Sequence, residues 1–124
     1  MASRSNMEVS VLPDRNPLFV KLSDGGIRNG YTIKISNKSQ LPRRFKVEMT
    51  GIDDLKMSVV GFESHEPVVD VAPSDVRALK VFAAIDRHGA KALRSDSTPL
   101  KVIVTEVDGT GVSSRDTSFR SPAH

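Results

Sequence analysis

Cysteine is absent from the 124 residues, and so is tryptophan. Without thiols the chain has no disulfide framework, no thiolate metal site, no iron–sulfur ligands and no cysteine nucleophile. The same absence leaves the redox compartment open. Aromatic residues are sparse, five Phe and one Tyr, and most fall at positions with core periodicity. The 18 basic and 15 acidic side chains give a formal charge of +3, but the basic ones are spread along the chain. Nucleic-acid binding needs a clustered basic patch and rings on which bases stack, so no nucleic-acid partner is expected. Long apolar runs are lacking too. VFAAI at 81–85 and VIV at 102–104 fall far short of the roughly 20 residues that cross a bilayer, so no direct membrane span is expected here. The opening MASRSN is polar and has no apolar signal core after it. Residues 1–6 therefore read as a non-native remnant or disordered end, 7–122 as a single domain and 123–124 as a tail.

What the sequence has is alternation. In NGYTIKISNKS, Asn29 to Ser39, the apolar Tyr31, Ile33 and Ile35 alternate with Thr32, Lys34 and Ser36. A period of two suits a pleated strand with one buried face and would scatter around a helix. Further strand-like runs lie at 8–12, 18–22, 44–50, 56–60, 68–71, 76–85, 100–107 and 112–119. No stretch of ten or more residues repeats an apolar face at helical spacing, and β-branched residues dominate the apolar positions. These features predict an all-β chain, an immunoglobulin-like β-sandwich of about seven strands.

The punctuation agrees. Asp24-Gly25-Gly26 and Asn29-Gly30 supply residues that tolerate positive φ, which predicts a tight reversal before the core strand. Asp108-Gly109-Thr110-Gly111 between two strand-like runs is a hairpin signal. Pro13, Pro17, Pro42, Pro67, Pro73 and Pro99 fall at strand ends or in turns, where a missing N–H costs little. By parity the core is Tyr31, Ile33 and Ile35, Phe45, Val47 and Met49, Leu79, Val81, Ala83 and Ile85, then Val102 and Val104. Ile103 and Val107 sit on the opposite parity, which leaves the register of the last two strands open.

Chemistry is harder to find. His65, His88 and His124 each lack a second histidine or carboxylate at ligand spacing within one element. His65, in FESHEP beside Glu63 and Glu66, is the one candidate for a copper or zinc ligand, and an exposed loop histidine is the favoured reading. Met49 and Met57 carry thioethers, but at core parity packing is their expected role. There is no G-x-S-x-G turn or comparable nucleophile, so no catalytic residue is assigned. Asp53-Asp54 is expected to form a turn, and Gly25, Gly26 and Gly30 do not open a helix as a phosphate loop requires. Asn37-Lys38-Ser39 fits the N-glycosylation tripeptide, although closing the turn after the strand is the more economical role for Asn37. One basic cluster remains, Arg43, Arg44 and Lys46. Alternation puts Arg44 and Lys46 on the outward face, either as a solvated strand face or as a docking surface for an acidic partner.

The segment DRNPLFVKLSDGGIRNGYTIKISNKS, Asp14 to Ser39, resembles the start of the C-terminal Ig-like domain of FixG/CcoG-type cytochrome c oxidase accessory proteins. The matching pieces are Asp14-Arg15-Asn16-Pro17-Leu18-Phe19, Asp24-Gly25, Arg28-Asn29-Gly30-Tyr31 and Asn37-Lys38, in that order and spacing. RRFKVEMTGI and the closing TSFRSP fit more loosely, and Arg120-Ser121-Pro122 departs from the F-x-G-P type of ending. The resemblance implies a parent that is a polytopic membrane protein with [4Fe-4S] clusters upstream. That parent would support assembly of a cbb-type haem–copper oxidase by reducing or delivering copper. This segment would then be a non-catalytic periplasmic interaction module with no cofactor of its own. Its partners would be its own membrane portion or oxidase assembly components. Arg15, Arg28 and Asn29, near the membrane-proximal start, and Arg43, Arg44 and Lys46 are the interaction candidates, while a second role for Arg28 and Asn29 is to fix a turn. The alternatives are a periplasmic domain that binds copper directly through His65 and methionines, and a generic adhesion module.

Overall fold

The computed structural model describes residues 7–15, 19–61, 67–93, 96–107, 109 and 111–121. Among them the chain order is β1 (Met7–Pro13), β2 (Val20–Lys21), β3 (Ile27–Asn37), β4 (Arg43–Thr50), β5 (Lys56–Val59), β6 (Val68–Val71), β7 (Val76–Ile85), α1 (Arg87–Ala92), β8 (Ser97–Glu106) and β9 (Val112–Arg120). Two antiparallel sheets form an Ig-like sandwich. The first has the order β1-β3-β7-β5 with β2 also on β3, and the second the order β6-β4-β8-β9. The sets β1-β3-β7 and β4-β8-β9 match the A-B-E and C-F-G strands of an Ig domain.

Alternation drives this packing. Tyr31, Ile33 and Ile35 of β3, Phe45 and Val47 of β4, Leu79, Val81, Ala83 and Ile85 of β7, and Val102 and Val104 of β8 are all buried between the sheets. Met49 is only partly buried, and with Val11 it packs against both clusters of the core. The register of the last strands is settled in favour of Val102 and Val104, while Val107 is 44% exposed beyond the end of β8. After Leu100, Val102 and Val104, the last inward position of β8 is held by Glu106, 4% exposed, whose carboxylate meets Arg43 at 3.1 Å. Gly111 O accepts from Glu106 N at 2.8 Å across the expected hairpin. A Cβ at Gly109 would stand 2.6 Å from Glu106 Oε1, so both glycines of that turn leave room for the buried carboxylate.

Three expectations need correction. Asn29-Gly30 is not a turn, because β3 already begins at Ile27 and pairs with β7 from Ile27↔Ile85 to Ser36↔Val76. Gly30 lacks a side chain because the Asp14 carboxylate, itself bound to Lys80, lies where a Cβ would be. The run at 18–22 shortens to Val20–Lys21, since Leu22 N donates to Gly26 O at 2.9 Å and turns the chain, and Leu18 lies outside the described residues. The sequence also hid α1, whose N-cap Asp86 accepts from Gly89 N at 2.8 Å. At six residues it is too short to show a helical period.

Candidate interaction surface

The residues of the β3 motif have fixed jobs, and most are turned inward. Asn29, 3% exposed, donates through Nδ2 to Arg120 O and accepts at Oδ1 from Arg120 N, each at 2.8 Å. This two-bond clasp ties β3 in one sheet to the end of β9 in the other. Two residues on, Tyr31 Oη donates to Ser118 O at 2.8 Å, and burial raises the phenol well above its ordinary pKa. At the far end of β3, Asn37 Nδ2 donates to Leu41 O and Val71 O, both at 2.9 Å, while its Oδ1 accepts from Ser39 N at 3.0 Å and Ser39 Oγ at 2.8 Å. Asn37 is fully buried and closes the turn, so its amide is occupied rather than offered for modification. Along the β1–β9 flank, Arg115 Nε donates to Val9 O at 2.8 Å and seals a third seam.

The structure does not bring the six interaction candidates together. Arg28 stacks over Phe82 at 4.5 Å on the outer face of the first sheet, whereas its neighbour Asn29 is buried. Both lie at the end of the sandwich remote from Met7, because β1 runs antiparallel to β3 with Met7 opposite Asn37. Arg15 is exposed just after β1. Arg43 sits on the inward parity of β4 and pairs with Glu106, so it leaves the expected cluster. Arg44 and Lys46 face outward as alternation predicts. Arg44 stands across from Asp70, and Lys46 Nζ lies 3.4 Å from Glu48, so carboxylates of the same sheet already flank both.

His65 lies outside the described residues, His88 is exposed on α1, and Met49 and Met57 pack against the core. Among the described residues no three of His, Cys, Asp and Glu gather as a metal site. An iron–sulfur cluster does not fit this chain, which has no thiolate to hold one. No helix among the described residues is long and apolar enough to cross a membrane.

A feature that sequence reasoning missed lies at the α1 end. Lys21 of β2 and Arg87 and Lys91 of α1 rim an open apolar notch of about 340 Å³. The i, i+4 spacing of Arg87 and Lys91 was its only sequence signal, and that spacing has meaning only once 87–92 is known to be helical.

Comparison with known proteins agrees with this architecture. Residues 1–122 match the family described as "IG-like fold at C-terminal of FixG, putative oxidoreductase". Protein RdxB of Cereibacter sphaeroides is 33% identical over 104 residues, covering 84% of this chain and 21% of that protein. The nitrogen fixation protein FixG of Rhizobium meliloti is 34% identical over 90 residues, covering 70% of this chain and 17% of that protein. The chain thus spans about a fifth of the length of these relatives. The crystal structure of a FixG-related protein from Vibrio parahaemolyticus has the same fold, with a TM-score of 0.79, 23% identity, and coverage of 95% of this chain and 98% of that one.

Proposed function

The chain belongs to the family of Ig-like domains found at the C-terminus of FixG, and from that membership we propose that it is the non-catalytic assembly module of a larger membrane-bound iron–sulfur protein. In this reading the parent carries the [4Fe-4S] clusters and membrane helices, and supports assembly of a cbb-type cytochrome c oxidase by reducing or delivering copper. The module stands on the periplasmic face and presents a surface to the membrane portion or to an assembly partner.

The observation that carries this reading is where the motif side chains are used. Asn29, Tyr31 and Asn37 form bonds that lock the two sheets together, so their chemistry serves rigidity. A rigid sandwich leaves its outer faces, end loops and strand edges for recognition.

Deleting the module from the full-length parent tests the proposal. The parent is expected to keep its cluster signals in electron paramagnetic resonance while oxidase activity and oxidase copper content fall. Unchanged oxidase maturation in the deletion strain would refute it. Titration of the isolated chain with Cu(I) against a chromophoric chelator is expected to show no tight stoichiometric binding. Stoichiometric binding that is lost in His65→Ala would instead make the module a direct copper handler.

A further inference from the structure

The notch at the α1 end combines an apolar floor with a cationic rim. Its floor is apolar, made by Leu22, Ile27 and Ala90, and its rim carries Lys21, Arg87 and Lys91. No carboxylate lines it. Four other cations are matched, in Lys38–Glu8, Arg43–Glu106, Lys46–Glu48 and Lys80–Asp14. Lys21, Arg87 and Lys91 have no hydrogen-bond or ion-pair partner among the described residues. The nearby acids are otherwise engaged, Asp24 with Gly26 N at 2.9 Å and Asp86 with Gly89 N at 2.8 Å.

Backbone groups of the turn are occupied as well. Leu22 N donates to Gly26 O at 2.9 Å and Gly25 N to Leu22 O at 3.0 Å, so an anion here would be held by the three side chains. The stem of Arg87 lies on Gly25, where a Cβ would come within 3.1 Å of Arg87 Cγ; with φ at +92° the turn also favours glycine. This packing anchors the Arg87 stem at the notch.

We propose that the notch is the docking site for an acidic segment of a partner protein. An aliphatic side chain of that segment would rest on Leu22, Ile27 and Ala90, and flanking carboxylates would pair with Lys21, Arg87 and Lys91. The inference rests on reading the chain as a surface-presenting module and names the surface and the partner's chemistry. A volume of about 340 Å³ is at the small end for a ligand pocket, which suits one or two anchoring side chains better than a cofactor. Unpaired cations around an apolar floor speed encounter with an acidic partner and orient it, while the floor supplies the burial that fixes it.

The test is an NMR titration of the ¹⁵N-labelled chain with an acetylated, amidated hexapeptide that has two central leucines between pairs of acidic residues. Saturable shifts are expected at Leu22, Gly25, Ile27 and Ala90. Arg87→Glu combined with Lys91→Glu should weaken binding at least about tenfold, while Lys101→Glu on the outer face of β8 should leave it unchanged. Raising NaCl from roughly 50 to 300 mM should weaken binding severalfold. Replacing the two leucines with alanine should weaken it by a similar factor. Each variant's dispersed spectrum reports that it is folded. The proposal is overturned by absence of saturable shifts, by shifts centred on the β8 face, or by equal binding of the alanine peptide. A failed titration beside a lost oxidase in the deletion strain removes the notch and leaves the assembly module standing.

Discussion

Tyr31 is the only tyrosine in the chain, fully buried, with its hydroxyl bound to the Ser118 carbonyl of the opposite sheet at 2.8 Å. Burial raises its pKa, so the folded chain keeps the phenol proton at a pH where the unfolded chain has released it. Above the ordinary tyrosine value of about 10 the native state then binds more protons than the unfolded state. Linkage gives the sign: this contribution to stability is complete below about pH 10 and declines as pH rises. Urea unfolding followed from pH 8 to roughly 11 should show a falling midpoint, steeper than in Tyr31→Phe. The variant should be less stable at pH 7 by about 1 kcal/mol, because Ser118 O loses its donor. Parallel pH profiles for the two proteins would refute the burial argument. The resemblance motif pointed to this tyrosine and to Asn29, but not to their role, since Ser118 and Arg120 lie 87 and 91 residues further along the chain.

β3 shows what alternation makes legible and where it stops. The period-two pattern from Tyr31 onward identified the buried face, and Ile33 at its centre is fully buried between the sheets. Ile33→Ala should therefore lower stability by roughly 2–5 kcal/mol in chemical denaturation, because packed neighbours on both sides limit collapse of the site. A loss below about 0.5 kcal/mol would be the behaviour of a surface position. Immediately before Tyr31 the sequence misled. Asn-Gly has the local chemistry of a turn, but its pairing with β7 and the Asp14 carboxylate over Gly30 are tertiary facts that override propensity. Glu106 was hidden for the opposite reason. It follows Val102 and Val104 at core parity, but a charge there is intelligible only when Arg43 is seen opposite and the Gly109–Gly111 turn is seen making room. Arg43 leaves the basic face because it shares the parity of Phe45: the pleat turns it inward, and Glu106 of the neighbouring strand meets it there.

Across the whole molecule the two sheets are joined by the core and also by hydrogen bonds that involve β9. β9 supplies the Arg120 clasp to Asn29, the Ser118 acceptor for Tyr31, the Arg115 bond to Val9 O and the buried Phe119. Its sequence, VSSRDTSFR, is the least apolar of the long strands; the run at 112–119 was legible as a strand, but its register was open and the closing TSFRSP matched the family only loosely. Structurally it is a keystone that closes the β1 side of the sandwich. Ending the chain after residue 111 should thus do more than shorten an edge. It would strip β8 of its neighbour, expose the inner faces of Tyr31 and Leu100, uncover the site filled by Phe119, and take their partners from the Asn29 amide and the Tyr31 hydroxyl. Several such losses together are comparable with the roughly 5–15 kcal/mol that holds a typical domain folded. The truncated chain is expected to lack dispersed amide resonances and a cooperative thermal transition. Adding a synthetic peptide of residues 112–121 should restore both, since the missing strand can return to its ladder in trans. A truncated chain that still unfolds cooperatively on its own would show that the clasps are accessory and that the core packing of β3, β4, β7 and β8 is sufficient.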